Sequence, residues 1–195
     1  MIGLEGKSAL VTGAGRGIGE ATARKLASCG ARVLVNDLDA DVAEAVAASI
    51  PGGVAHPADL TNPGAADQVV QAALDAFGGL DIVVNNAGIL RDVSFAKMTD
   101  NDWNLVQQVH VFGAYKVTKA AWPHMRKSRY GRIVMVTSSA GLFGNFGQAN
   151  YSAAKLGVVG LANTLSKEGA KRGIKVNVVA PFAGSRMTET VMTPE

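Results

Sequence analysis

Ser8-Ala9-Leu10-Val11-Thr12-Gly13-Ala14-Gly15-Arg16-Gly17-Ile18-Gly19 decides how the rest of the chain is read. A strand-sized apolar run enters a glycine turn, and an amphipathic segment, Gly17 to Cys29, leaves it. Gly13, Gly17 and Gly19 let the backbone turn tightly and come close to a pyrophosphate. The free N–H groups and positive dipole at the start of the following helix favour those phosphates, with Arg16 and Ile18 between the glycines. An ordinary glycine-rich turn between strand and helix is the competing explanation.

The same alternation continues outward. Strands are predicted at Ser8 to Thr12, Arg32 to Asn36, Gly53 to His56, Ile82 to Asn85, Ile133 to Thr137 and Val176 to Val179. Helices are predicted at Gly17 to Cys29, Asp39 to Ile50, Gly64 to Phe77, Asp100 to Lys127 and Tyr151 to Arg172. Strand-helix repetition of this kind calls for a parallel sheet covered on both faces, with right-handed crossovers and ligands at the carboxyl ends of the strands. The expected architecture is α/β, a doubly wound parallel sheet of the Rossmann type, in one domain over residues 1–195. No internal repeat, low-complexity tract or linker divides it.

Asp37 follows the second strand, about 20 residues past the glycine turn. An acidic group there accepts hydrogen bonds from the adenosine ribose and repels a 2′-phosphate, so NAD is favoured over NADP. Arg16 argues mildly the other way, and helix capping by Asp37 or Asp39 is the alternative role.

Tyr151 and Lys155 lie four apart at the start of a helical segment and share one face. A free phenol, with a pKa of about 10, is a poor base at neutral pH. A neighbouring ammonium and an oxidised nicotinamide would lower that value, letting Tyr151 take an alcohol proton as hydride departs. Ser138, at a strand end, is placed to hydrogen-bond the reacting oxygen. By itself, Tyr-x-x-x-Lys is common in helices.

Together, Thr12-Gly13-x-x-x-Gly17-x-Gly19, Asn85-Asn86-Ala87-Gly88, Ser138 and Tyr151-x-x-x-Lys155 resemble the short-chain dehydrogenases/reductases over nearly the whole chain. The resemblance implies that Asp59 and Leu60 flank adenine and that Asn86, Ala87 and Gly88 lie along the cofactor. It also implies that Lys155 binds the nicotinamide ribose, and that Pro181 and the stretch through Gly184 to Thr188 close over the nicotinamide. Two positions depart from the family pattern. His110 stands where an asparagine usually holds a water of the proton relay; a ring nitrogen can do the same, and a packed core histidine is the other reading. Phe182 replaces the usual glycine after the proline.

Both departures, with Asn85 to Asp92, Gly144 to Tyr151 and Ala183 to Thr188, resemble the (3R)-hydroxyacyl-CoA dehydrogenase part of peroxisomal multifunctional enzymes and their bacterial relatives. That implies NAD-dependent oxidation of a (3R)-3-hydroxyacyl-CoA. A 3-oxoacyl-carrier-protein reductase using NADPH is one alternative, and a non-catalytic NAD-binding or interaction module is another. Relatives continue past Glu195 through a further strand and a substrate lobe, which are expected to be lacking here.

The remaining composition narrows the field. The net charge of +3 and the basic run Arg126, Lys127, Arg129, Arg132 come without interleaved aromatics. They sit at a predicted helix end, where cations suit the dipole, so nucleic acid is not an expected partner. His56, His110 and His124 are scattered and Cys29 is the single cysteine, so no metal is expected. No run approaches a membrane span, and no secretory signal is read at Met1 to Lys7. The expected setting is the cytoplasm, or the peroxisomal matrix for a eukaryotic source. The expected partners are a small-molecule substrate and further copies of the chain, as a dimer or tetramer. Trp103 and Trp122 are expected to pack between helices or subunits.

Overall fold

A computed structural model describes residues 3–181. Its centre is a six-stranded parallel sheet in the order β3-β2-β1-β4-β5-β6. The strands are β1 (Ser8–Thr12), β2 (Arg32–Asn36), β3 (Val54–Ala55), β4 (Ile82–Asn85), β5 (Gly131–Val136) and β6 (Ile174–Val179). The helices are α1 (Gly17–Ser28), α2 (Ala40–Ala48), α3 (Ala65–Phe77), α4 (Asp100–Gln107), α5 (Gly113–Ser128), α6 (Ser139–Phe143) and α7 (Ala149–Gly169). The strand order reverses between β1 and β4, the doubly wound arrangement that opens a ligand crevice at the carboxyl ends of the strands.

Every residue of β1 is buried, so it reads as an unbroken apolar run, as central parallel strands do. Its pleat splits the core in two. Leu10, with Leu34, Val83, Ile133 and Met135, packs under α3, α5 and α7. Ala9 and Val11, with Val33, Val35 and Val84, pack under α1 and α2. Burying a side chain such as Leu10 or Ile133 is worth about 2 kcal/mol relative to exposure.

All the predicted strands and helices form, with three differences. β3 is only two residues long, because the Gly52–Gly53 turn precedes it and Pro57 follows; it pairs with β2 through Val54 and Ala55 alone. The long helix predicted from Asp100 to Lys127 is broken into α4 and α5 by a wide π-helical turn over Gln108–Phe112. A short helix that the sequence reading missed, α6, fills the step between β5 and α7.

Trp122 packs against the core on the α5 side, near Gly169, whereas Trp103 remains 37% exposed on α4. The basic stretch that runs from α5 into β5 has structural uses. Arg132 donates to the carbonyl of Gly173, and the Tyr130 ring has the cations of Lys7 and Arg132 at 3.8 Å and 4.2 Å from its centre. Among the described residues no helix is long and apolar enough to cross a membrane.

Candidate active site

Thr12 ends β1 and aims its hydroxyl at the neighbouring strand end. Its Oγ1 accepts from the backbone N–H groups of Asn86 (3.0 Å) and Ala87 (3.1 Å). Asn86 answers by donating its Nδ2 to the carbonyls of Thr12 (3.0 Å) and Gly13 (2.9 Å). These bonds stitch the glycine turn to the segment after β4. The packing explains two of the glycines. A Cβ on Gly13, whose φ is +60°, would sit 2.7 Å from the Ala87 Cα, and one on Gly19 would collide with the carbonyl oxygen of Gly13.

At the far side of the turn, Asp37 accepts from the backbone N–H of Gly15 (2.9 Å) and of Asp39 (3.2 Å). Arg16 is paired with Asp39, whose carboxyl this contact holds below the usual carboxylate range. Asp39 occupies the first position before α2 but makes no capping bond with its side chain. Asn36 donates to the carbonyls of His56 and Ala58, fixing the path toward Asp59, whose carboxylate takes both the N–H and the hydroxyl of Thr61.

Tyr151 and Lys155 rise from the first turns of α7, and Ser138 precedes α6. The Ser138 hydroxyl accepts from the Ala140 N–H and lines the same cleft as Tyr151. Lys155 is 5% exposed, and Gly141 makes room for its Cβ. Its Nζ donates to the Val136 carbonyl at 2.8 Å and stands 5.5 Å from the centre of the Tyr151 ring. Burial pushes the ammonium down to about 8. The Tyr151 phenol is pushed up from its ordinary value, chiefly by burial, with the Ser138 hydroxyl opposing and the Asp92 charge adding to that. Burial thus governs the phenol in the protein by itself.

His110 lies in the π-helical turn, 3% exposed. Its Nε2 is 2.9 Å from the carbonyl oxygen and 3.0 Å from the amide nitrogen of Ile89. One nitrogen serves only one of these at a time, according to tautomer. Nδ1 is buried without a partner among the described residues, as is Asn85 Oδ1. Both residues, with Lys155, line a small cavity of about 10 Å³, close to the room one water needs. Burial, reinforced by Lys155, pushes the imidazole down to about 3, so it is neutral at ordinary pH. Gly88 packs directly against the ring.

A cleft of about 470 Å³ gathers these groups. It is lined at one end by Asp37, Asp59, Leu60 and the glycine turn with Arg16 and Ile18, along its length by Asn86, Ala87 and Gly88, and at the other end by His110, Ser138, Tyr151, Lys155 and Pro181. Of the sequence-predicted site residues, only Gly184 is not among these; like Phe182, it lies outside the described residues. The reading missed Leu38 and Thr137, which also line the cleft; Thr137 Oγ1 pins α7 by donating to the Lys155 carbonyl at 2.7 Å. It also missed Gln148 and Asn150, two buried polar side chains beside Tyr151. No residue pattern marked Asn150, whose side chain bonds only backbone groups.

The cleft is elongated, with backbone N–H groups at its glycine turn, a carboxylate at one end and a titratable trio at the other. A dinucleotide fits that donor set. The chain matches the short chain dehydrogenase family model over residues 7–195. It is 52% identical over 200 residues to the peroxisomal multifunctional enzyme A of Dictyostelium discoideum, covering 97% of this chain and 45% of that protein. It is 52% identical to the peroxisomal multifunctional enzyme type 2 of Mus musculus, covering 96% of this chain and 27% of that protein. The chain thus spans less than half the length of these two relatives. A 3-oxoacyl-[acyl-carrier-protein] reductase of Synechocystis sp. is 46% identical, with 98% of this chain and 80% of that protein covered. The chain belongs to the short chain dehydrogenase family, a family of oxidoreductases.

Proposed function

We propose that the protein oxidises a (3R)-3-hydroxyacyl-CoA to the 3-ketoacyl-CoA with NAD. The observation that carries the reading is the convergence of Ser138, Tyr151 and Lys155 at one end of a cleft whose other end is closed by Asp37. The substrate class is supported by the runs Asn85 to Asp92 and Gly144 to Tyr151 and by the identity to multifunctional relatives, one of them named a hydratase-dehydrogenase-epimerase.

The nicotinamide cofactor supplies the hydride acceptor. Tyr151, as phenolate, would take the hydroxyl proton of the substrate as the hydrogen on the carbinol carbon leaves with its bonding pair as hydride, giving the ketone. Lys155 holds the phenolate by charge, and Ser138 donates to the substrate oxygen. His110 borders Lys155 as a neutral group able to hold a water of the proton path. The glycine turn with Gly13, Arg16, Gly17, Ile18 and Gly19 holds the pyrophosphate. Asp37 would hold the adenosine ribose and select NAD, Asp59 and Leu60 would flank adenine, Asn86 to Gly88 would lie along the cofactor, and Pro181 would border the nicotinamide.

Arg16 does not undo the selection for NAD, since Asp39 already occupies its guanidinium. The reading suits an aqueous compartment that holds acyl-CoA, the cytoplasm or the peroxisomal matrix. It also suits a homo-oligomer formed through the α5 side, where Phe112 and Tyr115 remain exposed. NADPH-dependent reduction of a 3-oxoacyl thioester is the second reading, favoured by the 80% coverage of the Synechocystis relative.

The test is NADH formation from NAD and 3-hydroxybutyryl-CoA, with the (3R) and (3S) forms assayed separately. Turnover of the (3R) form alone is expected. Turnover of neither, with NADPH oxidation by a 3-oxoacyl thioester, would replace the first reading by the second.

A further inference from the structure

Asn150 is completely buried, one residue before Tyr151. Its Nδ2 donates to two backbone carbonyls, those of Arg91 and Asp102, each at 3.1 Å. Its Oδ1 accepts from the backbone N–H of Tyr151 at 2.7 Å, one of the donors that a helix start leaves without an intrahelical partner. Its own carbonyl accepts from Gln107 Nε2 at 3.0 Å. One amide therefore ties three segments: the loop after β4, helix α4, and the first turn of α7.

A second set of bonds runs parallel to it. Val93 N–H donates to the Gly147 carbonyl at 2.8 Å, and Gln148 Nε2 donates to Asp92 Oδ2 at 2.8 Å. The other end of the same loop, Ile89, is held by His110. Loop 89–93 is thus fastened at both ends to the walls of the cleft, and Tyr151 follows directly from one fastening.

Asn150 needs two donors and one acceptor at fixed directions. Aspartate supplies no donor when ionised, and serine supplies one. Leaving the Arg91 and Asp102 carbonyls buried without a partner is costly, so the loop and α7 would separate.

We propose that Asn150 is a positioning residue for the oxidation proposed above: it holds Tyr151 in register with Ser138 and with loop 89–93, and takes no part in holding the cofactor. The inference rests on Tyr151 being the base, and its test includes a readout that needs no substrate.

The experiment compares wild type, Asn150→Ser, Asn150→Asp and Gln107→Ala. It measures kcat and KM with (3R)-3-hydroxybutyryl-CoA, NADH affinity by fluorescence, thermal midpoint, and the titration of Tyr151 by carbon NMR of ring-labelled tyrosine, assigned with Tyr151→Phe. Expected for the Asn150 variants are a fall in kcat of tenfold or more, NADH affinity within twofold, and a Tyr151 titration moved by at least half a pH unit. Gln107→Ala, which removes only one bond from outside, should move both in the same direction by less. A lowered thermal midpoint with kcat and the Tyr151 titration unchanged would overturn the proposal and leave Asn150 a purely structural residue. If the Asn150 variants do not fold, an unchanged kcat and titration in Gln107→Ala overturn it equally. A wild type inactive on this thioester would defeat the substrate reading while the Tyr151 titration still decides the role of Asn150.

Discussion

The imidazole of His110 meets the Tyr151 ring edge-on, with ring centres 5.2 Å apart and planes at 90°. Burial, with the Lys155 charge nearby, pushes the imidazole down to about 3, so a neutral ring stands between the phenol and the ammonium side of the cleft.

A consequence for stability follows. In the unfolded chain the histidine gains a proton below its ordinary value of about 6.5, while in the folded chain it stays neutral until about 3. The folded state therefore binds fewer protons over that window and loses stability as pH falls through it. His110→Gln should flatten the fall by a few kcal/mol relative to wild type. Urea midpoints at pH 7 and pH 4 measure it, and parallel losses in the two proteins would contradict it.

Tyr151→Phe should keep the ring in place beside His110 and remove only the hydroxyl. Turnover should fall by about 10²–10⁴-fold, with NADH affinity nearly unchanged. Initial rates and fluorescence titration separate the two, and a parallel loss of cofactor binding would point to a misfolded cleft.

Asp92 raises the Tyr151 phenol through its charge. Asp92→Asn removes that charge, so the phenol should ionise at lower pH and the rising limb of the rate profile for alcohol oxidation should move to lower pH. The amide keeps an oxygen for the Gln148 bond. A limb that stays still or moves up in a pH series of kcat would show that Asp92 acts through the loop rather than through its charge.

Asp37→Ala should weaken NAD binding by tenfold or more and narrow the preference over NADP, because both ribose acceptors and the repulsion of a 2′-phosphate are lost. Calorimetry with each cofactor gives the ratio. An unchanged ratio would assign Asp37 to the Gly15 bond alone.

Much of the cleft was legible because its parts carry side-chain identities that chemistry requires: glycines at 13 and 19 where a Cβ collides, a carboxylate at 37, a phenol and an ammonium one helical turn apart. The π-helical turn was not. Gln108-Val109-His110-Val111-Phe112 contains no glycine or proline, and its apolar spacing suits a continuous helix, so one extra residue per turn leaves no mark on composition. The tie through Asn150 was hidden for another reason: its partners are backbone carbonyls, which every residue has. β3 was overestimated because apolar Val54 and Ala55 look the same whether pairing lasts two residues or four.

The wide turn at Gln108–Phe112 also sets a phase. Winding the same residues as uniform α-helix would rotate everything beyond them by about 90°. Ala114, Val117, Ala121 and Met125, now facing the sheet, would swing toward solvent, and His110 would leave the Ile89 backbone. The winding of this one turn therefore decides both which face of α5 meets the sheet and where the His110 ring stands.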